Sequence, residues 1–302
     1  MTNDRFIIGV NYPWRHYGQD FGTCAWGHRG LASAVDELRR DFEEIRTRLS
    51  EGASKPVIRV FVFADGRASP EFDASSLVTG FDDYFFRDFD SLVDTSSRSD
   101  LLVMPVLLDF RWCYPRSVVD GVCLGGHSDT IVEAGRRASF LERALAPLLE
   151  RYAKIPEIFA WDLINEPEWI LPRRRPWMRG RVSVDLASFQ AFVRDAAAMI
   201  HQQATQPVTL GSARPQWLRY WQGLGLDLYQ CHWYQASWRL RVAASRVGIH
   251  RLDRPCLVGE APTAGTRVSP ADYVEKARRE GYSGILFWSY RAEDRASDFG
   301  KV

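Results

Sequence analysis

Apolar residues along the chain occur in two alternating patterns, short unbroken runs and longer stretches with helical spacing. The short runs end in polar or proline-containing loops, as is typical of parallel strands that are buried on both faces. They predict eight strands, at residues 6–12, 57–63, 101–110, 161–166, 207–211, 226–233, 255–260 and 284–289.

Between consecutive runs, apolar positions repeat with the spacing of an α-helix. Helices are predicted at residues 33–50, 82–96, 134–154, 185–203, 237–249 and 269–280, with a shorter one that ends near residue 222. Ser269 and Pro270 form a start signal for the last of these, an N-cap followed by proline at the first helical position. The alternation indicates an α/β protein, and eight such units predict a (β/α)8 TIM barrel, a single domain over residues 1–302.

An open, doubly wound sheet is the structural alternative to the barrel. That fold usually has a glycine-rich turn after its first strand, and the turn here reads NYPWRHYG. No linker or low-complexity segment divides the chain. The pattern therefore favours the closed barrel.

Composition and charge narrow the function. The 302 residues carry a net charge of +1, so the bulk charge does not indicate a nucleic acid or an anionic membrane as a partner. Aromatic residues make up 13% of the chain and include eleven Trp. Their flat apolar rings suit the C–H faces of sugars, although they can equally fill a large core. We expect no cofactor and a monomer, although the sequence does not define the oligomeric state.

Cysteine usage and the N-terminus bear on the compartment. The five cysteines include no CxxC pair, which disfavours a zinc knuckle or a thioredoxin-type motif. Cys113 and Cys123 bracket one loop and could pair, but a sparse, odd set is more typical of a reducing compartment. The chain begins without a charged-then-apolar leader, and no apolar run reaches membrane-spanning length. We expect a soluble cytoplasmic protein, or a secreted one if a leader has been removed.

Two glutamates lie where strands of such a barrel would end. Pro167 lacks a backbone N–H and restricts the preceding residue to extended conformations, so the fourth strand stops there with Glu166 at its tip. Glu260 ends the seventh strand, and the two carboxylates would face each other across the barrel mouth. Glycoside hydrolysis needs such a pair, and a separation of about 5–5.5 Å would indicate retention of configuration. A wider gap would indicate inversion.

Five polar or aromatic residues at neighbouring strand ends suit the same chemistry. Arg59 could hold Glu260 ionised, and Tyr234 could donate a hydrogen bond to the same carboxylate. His232 could tune the proton affinity of Glu166. The other two would contact the sugar: Asn165 at its 2-OH, and Trp288 as the floor of the site. Each has a structural alternative, such as a satisfied strand histidine or a structural ion pair.

Five strand sequences, VIRVF, LINEP, CHWYQ, LVGE and GILFWSY, together carry a family resemblance. They resemble the catalytic strands of the retaining glycoside hydrolases of clan A, and most of all family 5, which includes cellulases and mannanases. The resemblance spans nearly the whole chain. It implies Glu166 as the acid/base and Glu260 as the nucleophile. It also implies that the five neighbours just described contact the reacting groups.

The chain departs from that family at the end of the third strand. A histidine that helps to bind the sugar is often found there, whereas this chain reads Leu108-Asp109-Phe110. We expect Asp109 or Trp112 to substitute for it, and Trp14 and Trp169 are further candidates for sugar binding. The compact chain shows no carbohydrate-binding module or export signal, so a substrate among oligosaccharides or glycoconjugates is expected.

Several alternatives remain open at this level. The basic cluster after the fourth strand could bind an acidic or phosphorylated sugar, or could be a solvated loop or partner contact; it comprises Arg173, Arg174, Arg175, Arg179 and Arg181, with Trp177 among them. A transglycosylase would use the same covalent intermediate, and a catalytically silent glycan-binding barrel is the alternative outside the enzymes. A metal site is not expected, because the histidines lack ligand spacing and no HxH occurs.

Overall fold

A computed structural model describes residues 6–49, 55–172, 184–234 and 247–302. Eight parallel strands close into a barrel, in which each strand pairs with the next along the chain and the eighth pairs with the first. The predicted TIM barrel is confirmed. The strands are β1 (Ile7–Asn11), β2 (Val57–Ala64), β3 (Leu102–Asp109), β4 (Trp161–Asn165), β5 (Val208–Ser212), β6 (Tyr229–His232), β7 (Cys256–Pro262) and β8 (Gly284–Trp288).

Helices surround the barrel in the described ranges. They are α1 (Val35–Arg48), α2 (Phe85–Arg98), α3 (Asp129–Val132), α4 (Ala134–Phe140), α5 (Ala146–Tyr152), α6 (Leu186–Gln203) and α7 (Pro270–Arg279). The predicted helix at 134–154 is present as α4 and α5, joined by a π-helical segment at Leu141–Leu145. The short helix predicted near residue 222 is a 3₁₀ helix, Pro215–Tyr220.

The predicted helix at 237–249 falls mostly outside the described residues. Only its last residues can be placed, in the 3₁₀ helix Val247–His250. The start signal of α7 is confirmed as a capping box, because the Ser269 hydroxyl accepts from the Asp272 backbone N–H at 3.1 Å and the Asp272 carboxylate accepts from the Ser269 N–H at 3.4 Å.

The inside of the barrel is divided into layers. On β2, Val57, Arg59 and Phe61 alternate with residues that face the helices, so all three point inward. Val57 packs into a small apolar cluster that includes Met104 and Leu286. Phe61 belongs to a second cluster that contains Trp288. Arg59 lies between the two clusters, and a polar layer therefore runs through the barrel just below its mouth.

The loops at the carboxyl ends of the strands are structured. The loop after β3, predicted only as a long connection, contains a 3₁₀ turn at Phe110–Cys113 and a hairpin of Ser117–Val119 with Val122–Leu124. Cys113 and Cys123 both lie in this loop as free cysteines, so the disulfide that was left open is not formed.

None of the helices in the described ranges is long and apolar enough to cross a membrane.

Candidate active site

The carboxyl ends of the strands surround a cleft of about 740 Å³. Both predicted catalytic residues, Glu166 and Glu260, line it. The remaining lining residues are Trp14, Tyr17, Phe61, Arg67, Asp109, Phe110, Arg111, Asn165, Trp169, Tyr234, Trp288, Asp294 and Ala296.

Arg59 on β2 organises the floor of the cleft. Its side chain is fully buried, and its Nε donates to Asp162 Oδ2 at 2.8 Å. Nη1 donates to Glu260 Oε1 at 2.8 Å and to Asn11 Oδ1 at 3.1 Å, and Nη2 donates to Asn165 Oδ1 at 3.0 Å. One guanidinium thus connects strands β1, β4 and β7. Because the guanidinium is fully buried, losing any one of these partners would leave polar atoms unsatisfied.

Glu260 lies within β7 and is held from both sides. Oε1 accepts from Arg59, and Oε2 accepts from the Tyr234 hydroxyl at 2.6 Å. Burial, assisted by the charge of Glu166, raises the pKa of Glu260. The cationic groups of His232 and Arg59 and the Tyr234 hydrogen bond oppose that rise. Both oxygens have strong donors, so the carboxylate is fixed in place.

Glu166 follows β4 in a left-handed backbone conformation, with φ 47° and ψ 53°. The extended conformation predicted for the residue before Pro167 is therefore wrong. The prolyl ring disfavours the right-handed helical region, and the turn into the 3₁₀ helix Pro167–Trp169 uses the left-handed region instead. The Glu166 N–H donates to the Gly211 carbonyl at 2.7 Å. This turn directs the carboxylate into the cleft.

Two side chains hold the Glu166 carboxylate. His232 Nδ1 lies 2.8 Å from Oε1, and Trp169 Nε1 donates to Oε2 at 2.6 Å. Burial acts to raise the pKa of Glu166, but the hydrogen bonds and charges of His232, Trp169 and Arg59 outweigh it, so the pKa lies below its usual value.

His232 connects the two glutamates. Its Nδ1 is also 3.5 Å from Glu260 Oε2. Burial acts to lower the pKa of His232, but the two carboxylates outweigh it and raise the pKa. The two shifts together favour an ionised Glu166 beside a protonated His232.

Asn165 has its amide orientation fixed by its neighbours. Its oxygen accepts from Arg59, and its Nδ2 donates to Asp109 Oδ1 at 3.2 Å. Asp109 Oδ2 accepts from the Tyr17 hydroxyl at 2.5 Å, and burial raises the pKa of Asp109 to about 6. One amide hydrogen of Asn165 remains for a ligand in the cleft.

Three of the predicted tryptophans line the cleft, and one does not. Trp14 packs edge-on against Trp288 with ring centroids 6.0 Å apart, while Trp169 lies beside Glu166. Trp112 is fully buried and packs against Phe63 and Phe140. The expectation that Trp112 substitutes in sugar binding is not supported, because the 3₁₀ turn after β3 directs its ring into the core. Of the two candidates at the end of β3, only Asp109 lines the cleft.

Several residues of the site were missed by sequence reasoning. Asn11 ends β1 and donates from Nδ2 to the carbonyls of Gly259 and Phe287 at 2.9 and 3.1 Å. Gln230 Nε2 donates to Asp162 Oδ2 at 2.7 Å below Arg59. Both residues are polar side chains within predicted strands, which could have indicated that they face the inside of the barrel near the site. Tyr17 carried none, because its partner Asp109 is remote in sequence.

Glu166, His232 and Glu260 each place a possible ligand atom within 4.8 Å of the others. Spacing along the sequence did not indicate this trio. The donor set does not fit a metal ion well, because the carboxylate oxygens already accept from Arg59, Tyr234 and Trp169. The Arg59 guanidinium would also repel a cation at this position. The arrangement is better suited to moving protons.

The cluster of five arginines from Arg173 to Arg181 lies outside the described residues, as does Trp177.

Comparison with known proteins extends the resemblance beyond the five strand sequences. No family model matches the chain. A mannan endo-1,4-β-mannosidase of Cryptopygus antarcticus is 22% identical over an alignment that covers 97% of this chain and 82% of the relative.

Solved structures agree in fold. The endo-1,4-β-mannanase of Eisenia fetida superposes with a TM-score of 0.76 at 23% identity, covering 99% of this chain and 90% of the other. A glycoside hydrolase family 5 mannosidase of Rhizomucor miehei has a TM-score of 0.58 at 16% identity, covering 94% and 81%. The comparisons confirm the predicted enzyme class, that of the glycosidases, and the resemblance of this chain to the glycoside hydrolases of clan A and family 5.

Proposed function

We propose that the protein hydrolyses β-1,4-mannosidic bonds with retention of configuration, through a covalent glycosyl-enzyme intermediate. The spacing of the two carboxylates carries this proposal. An oxygen of Glu166 and an oxygen of Glu260 lie within 4.8 Å of each other. Retaining glycosidases place their carboxyl groups about 5–5.5 Å apart, whereas inverting ones need a wider gap to hold a water molecule.

In the first step Glu260 attacks the anomeric carbon. The bond from that carbon to the glycosidic oxygen breaks as the bond to the Glu260 oxygen forms, and the glycosidic oxygen takes a proton from Glu166. Arg59 and Tyr234 hold the nucleophile by its two oxygens. Asn165 donates its free amide hydrogen to the sugar 2-OH, a contact that strengthens in the transition state.

The proton needed for this step is held between Glu166 and His232. With the proton on the imidazole, Glu166 is ionised; with the proton on Glu166, the imidazole is neutral and the carboxyl group can act as an acid. The 2.8 Å separation lets the proton move between the two. In the free enzyme, the lowered pKa of Glu166 and the raised pKa of His232 favour the proton on the imidazole. Substrate binding would have to shift that proton to Glu166.

In the second step a water molecule attacks the anomeric carbon. Glu166, now ionised, takes a proton from the water, the bond to Glu260 breaks, and Glu260 leaves as a carboxylate. Each glutamate returns to its starting state, and the sugar product has the configuration of the substrate.

The sugar is inferred from the similar proteins. The relative from Cryptopygus antarcticus and the structure from Eisenia fetida both carry names that specify action on β-1,4-linked mannan. The aromatic walls of the cleft, with Trp14, Trp169 and Trp288, provide apolar surfaces for sugar rings. We therefore take β-1,4-linked mannose as the substrate sugar, either in oligosaccharides or in a longer chain.

Hydrolysis of β-1,4-linked manno-oligosaccharides and mannan, with matched gluco- and xylo-oligosaccharides, tests the proposal. We expect turnover of the mannose series, and proton NMR at early times should detect the β-anomer of the new reducing end. Initial release of the α-anomer would contradict retention. Preferential turnover of another series would overturn the assigned sugar. Transfer products in excess of hydrolysis would identify a transglycosylase, and glycan binding without turnover would identify a silent barrel.

A further inference from the structure

A third carboxylate lies two residues after Glu166 and has no part in the steps above. Glu168 is fully buried and is not among the residues that line the cleft. One of its oxygens accepts from the Ser212 hydroxyl, and the other accepts from the Ala213 backbone N–H at 2.9 Å. The Ser212 oxygen in turn accepts from Trp221 Nε1 at 2.9 Å. A buried carboxylate is costly unless donors satisfy it, and here dedicated donors do so.

These contacts attach one short turn to β5. The 3₁₀ turn Pro167–Trp169 begins directly after Glu166, whose own N–H is bonded to Gly211. Glu168 reaches the next two positions along the chain, Ser212 and Ala213. The turn is thus held to the end of β5 at both its start and its middle. Such attachment is needed, because a left-handed non-glycine residue is strained and persists only where its surroundings enforce it.

Trp169, the last residue of the turn, contacts Glu166. The Trp169 backbone N–H donates to the Glu166 carbonyl at 3.1 Å, and its indole N–H donates to Glu166 Oε2 at 2.6 Å. An indole N–H can donate but cannot accept. It therefore stabilises the charge that develops on Glu166 when the proton leaves. The position of the indole therefore depends on the attachment of the turn Pro167–Trp169 to the end of β5.

We propose that Trp169 is a catalytic residue, whose indole N–H stabilises ionised Glu166, and that Glu168 is a positioning residue that holds Trp169 and Glu166 in register through β5. This inference rests on the proposed glycosidase activity and extends it. It assigns a chemical role to a tryptophan otherwise expected only to contact sugar, and a role to a glutamate outside the cleft.

The test compares two substrates that differ in their need for acid. The leaving group of a manno-oligosaccharide is a sugar hydroxyl, which departs poorly unless it receives a proton. A 2,4-dinitrophenyl β-mannoside instead releases a stable phenolate anion with little help from an acid. The quantity measured is kcat/KM, which reports the glycosylation step. Trp169→Phe keeps the ring and removes the N–H, and Glu168→Gln keeps the size but removes one of the two acceptor oxygens. Both should lower kcat/KM for the oligosaccharide by roughly 10- to 100-fold and leave the dinitrophenyl substrate nearly unchanged.

Asp88→Asn provides a matched control. Asp88 is a fully buried carboxylate on α2 that accepts from the N–H groups of Gly22 and Ala32 and is not among the residues that line the cleft. Its loss should destabilise the fold while leaving the ratio of the two substrates unchanged. If Glu168→Gln does not fold, Ser212→Ala removes a single donor to Glu168 and should change the ratio in the same direction.

A second readout is the pH profile of the oligosaccharide reaction. Without the indole N–H the pKa of Glu166 should rise, so the basic limb of kcat/KM should move to higher pH in Trp169→Phe. Equal losses on both substrates together with an unmoved basic limb would overturn the proposal. Absence of wild-type activity on both substrates would overturn the proposed function instead, so the two failures can be told apart.

Discussion

The two glutamates of the cleft are supported in different ways. Glu260 lies within β7, has 4% of its side chain exposed, and accepts hydrogen bonds from Arg59 and Tyr234 on its two oxygens. Glu166 lies just beyond the end of β4, in a left-handed turn, with 16% of its side chain exposed. Its oxygens contact an imidazole and an indole instead.

The difference suits the role that we propose for each glutamate. A nucleophile has to react as the carboxylate and stay in place. Arg59 and Tyr234 donate hydrogen bonds to Glu260 and oppose the rise in its pKa that burial causes, and neither readily gives up its own proton near neutral pH. An acid/base has to gain and lose a proton in each turnover, and an imidazole beside it can hold that proton. The environments of two identical side chains thus support the different roles proposed for them.

The largest effect should come from removing the nucleophile. Glu260→Gln keeps the shape of the side chain but cannot form the glycosyl intermediate, so turnover of manno-oligosaccharides should fall on the order of 10⁴-fold or more. Isothermal titration with the same oligosaccharides should still detect binding, which separates lost chemistry from lost folding. A variant with substantial turnover would show that Glu260 is not the nucleophile.

Removing the acid/base should have a smaller and substrate-dependent effect. Glu166→Ala should lower turnover of oligosaccharides by about 10²–10⁴-fold, the usual contribution of general acid catalysis. Azide should restore activity toward an activated aryl β-mannoside by attacking the glycosyl intermediate in place of water, giving a β-glycosyl azide detectable by NMR. The reverse result, a β-glycosyl azide from Glu260→Ala and an α-glycosyl azide from Glu166→Ala, would exchange the two assigned roles.

A single hydrogen bond to the nucleophile should matter less. Tyr234→Phe removes the donor at 2.6 Å from Glu260 Oε2 and leaves Arg59 on the other oxygen. A hydrogen bond to a charged group contributes about 1.5–3 kcal/mol, so kcat/KM should fall roughly 10- to 100-fold. The loss should be similar for activated and natural substrates, in contrast to changes around Glu166. An effect confined to natural substrates would place Tyr234 on the acid side of the reaction.

The smallest effect is on stability and concerns the turn that carries Glu166. Burial raises the pKa of Glu168 from 4.5 to about 7. A carboxyl group whose pKa is raised on folding stabilises the folded protein at low pH, where the group is protonated. This contribution is lost as the pH rises through the pKa of the folded state. The unfolding free energy of the wild type should therefore decline between about pH 4.5 and 7 relative to that of Glu168→Gln. Urea unfolding across this range measures the difference, and parallel pH curves would contradict it.

Much of the site could be predicted because strand ends are visible in the sequence. Asn165, Glu166 and Pro167 interrupt an apolar run, and Glu260 ends another, so barrel geometry alone places both carboxylates at one mouth. The same reasoning could not find Tyr17, whose hydroxyl fixes Asp109 from a long loop after β1. It also misplaced Trp112, because a 3₁₀ turn reverses which side chains face the cleft.

The sequence by itself determined the period of the strands and helices, and through it the barrel, since alternating apolar runs can be buried on both faces only in such a layered fold. It also determined which strand ends carry carboxylates. Only the tertiary structure decided how those carboxylates differ. The left-handed turn at Glu166, the anchoring of Glu168 to β5 and the connection of Arg59 to three strands all depend on contacts between residues far apart in the chain. Local propensity contains no information about such contacts, because hydrogen bonds between remote side chains form only once the barrel has closed.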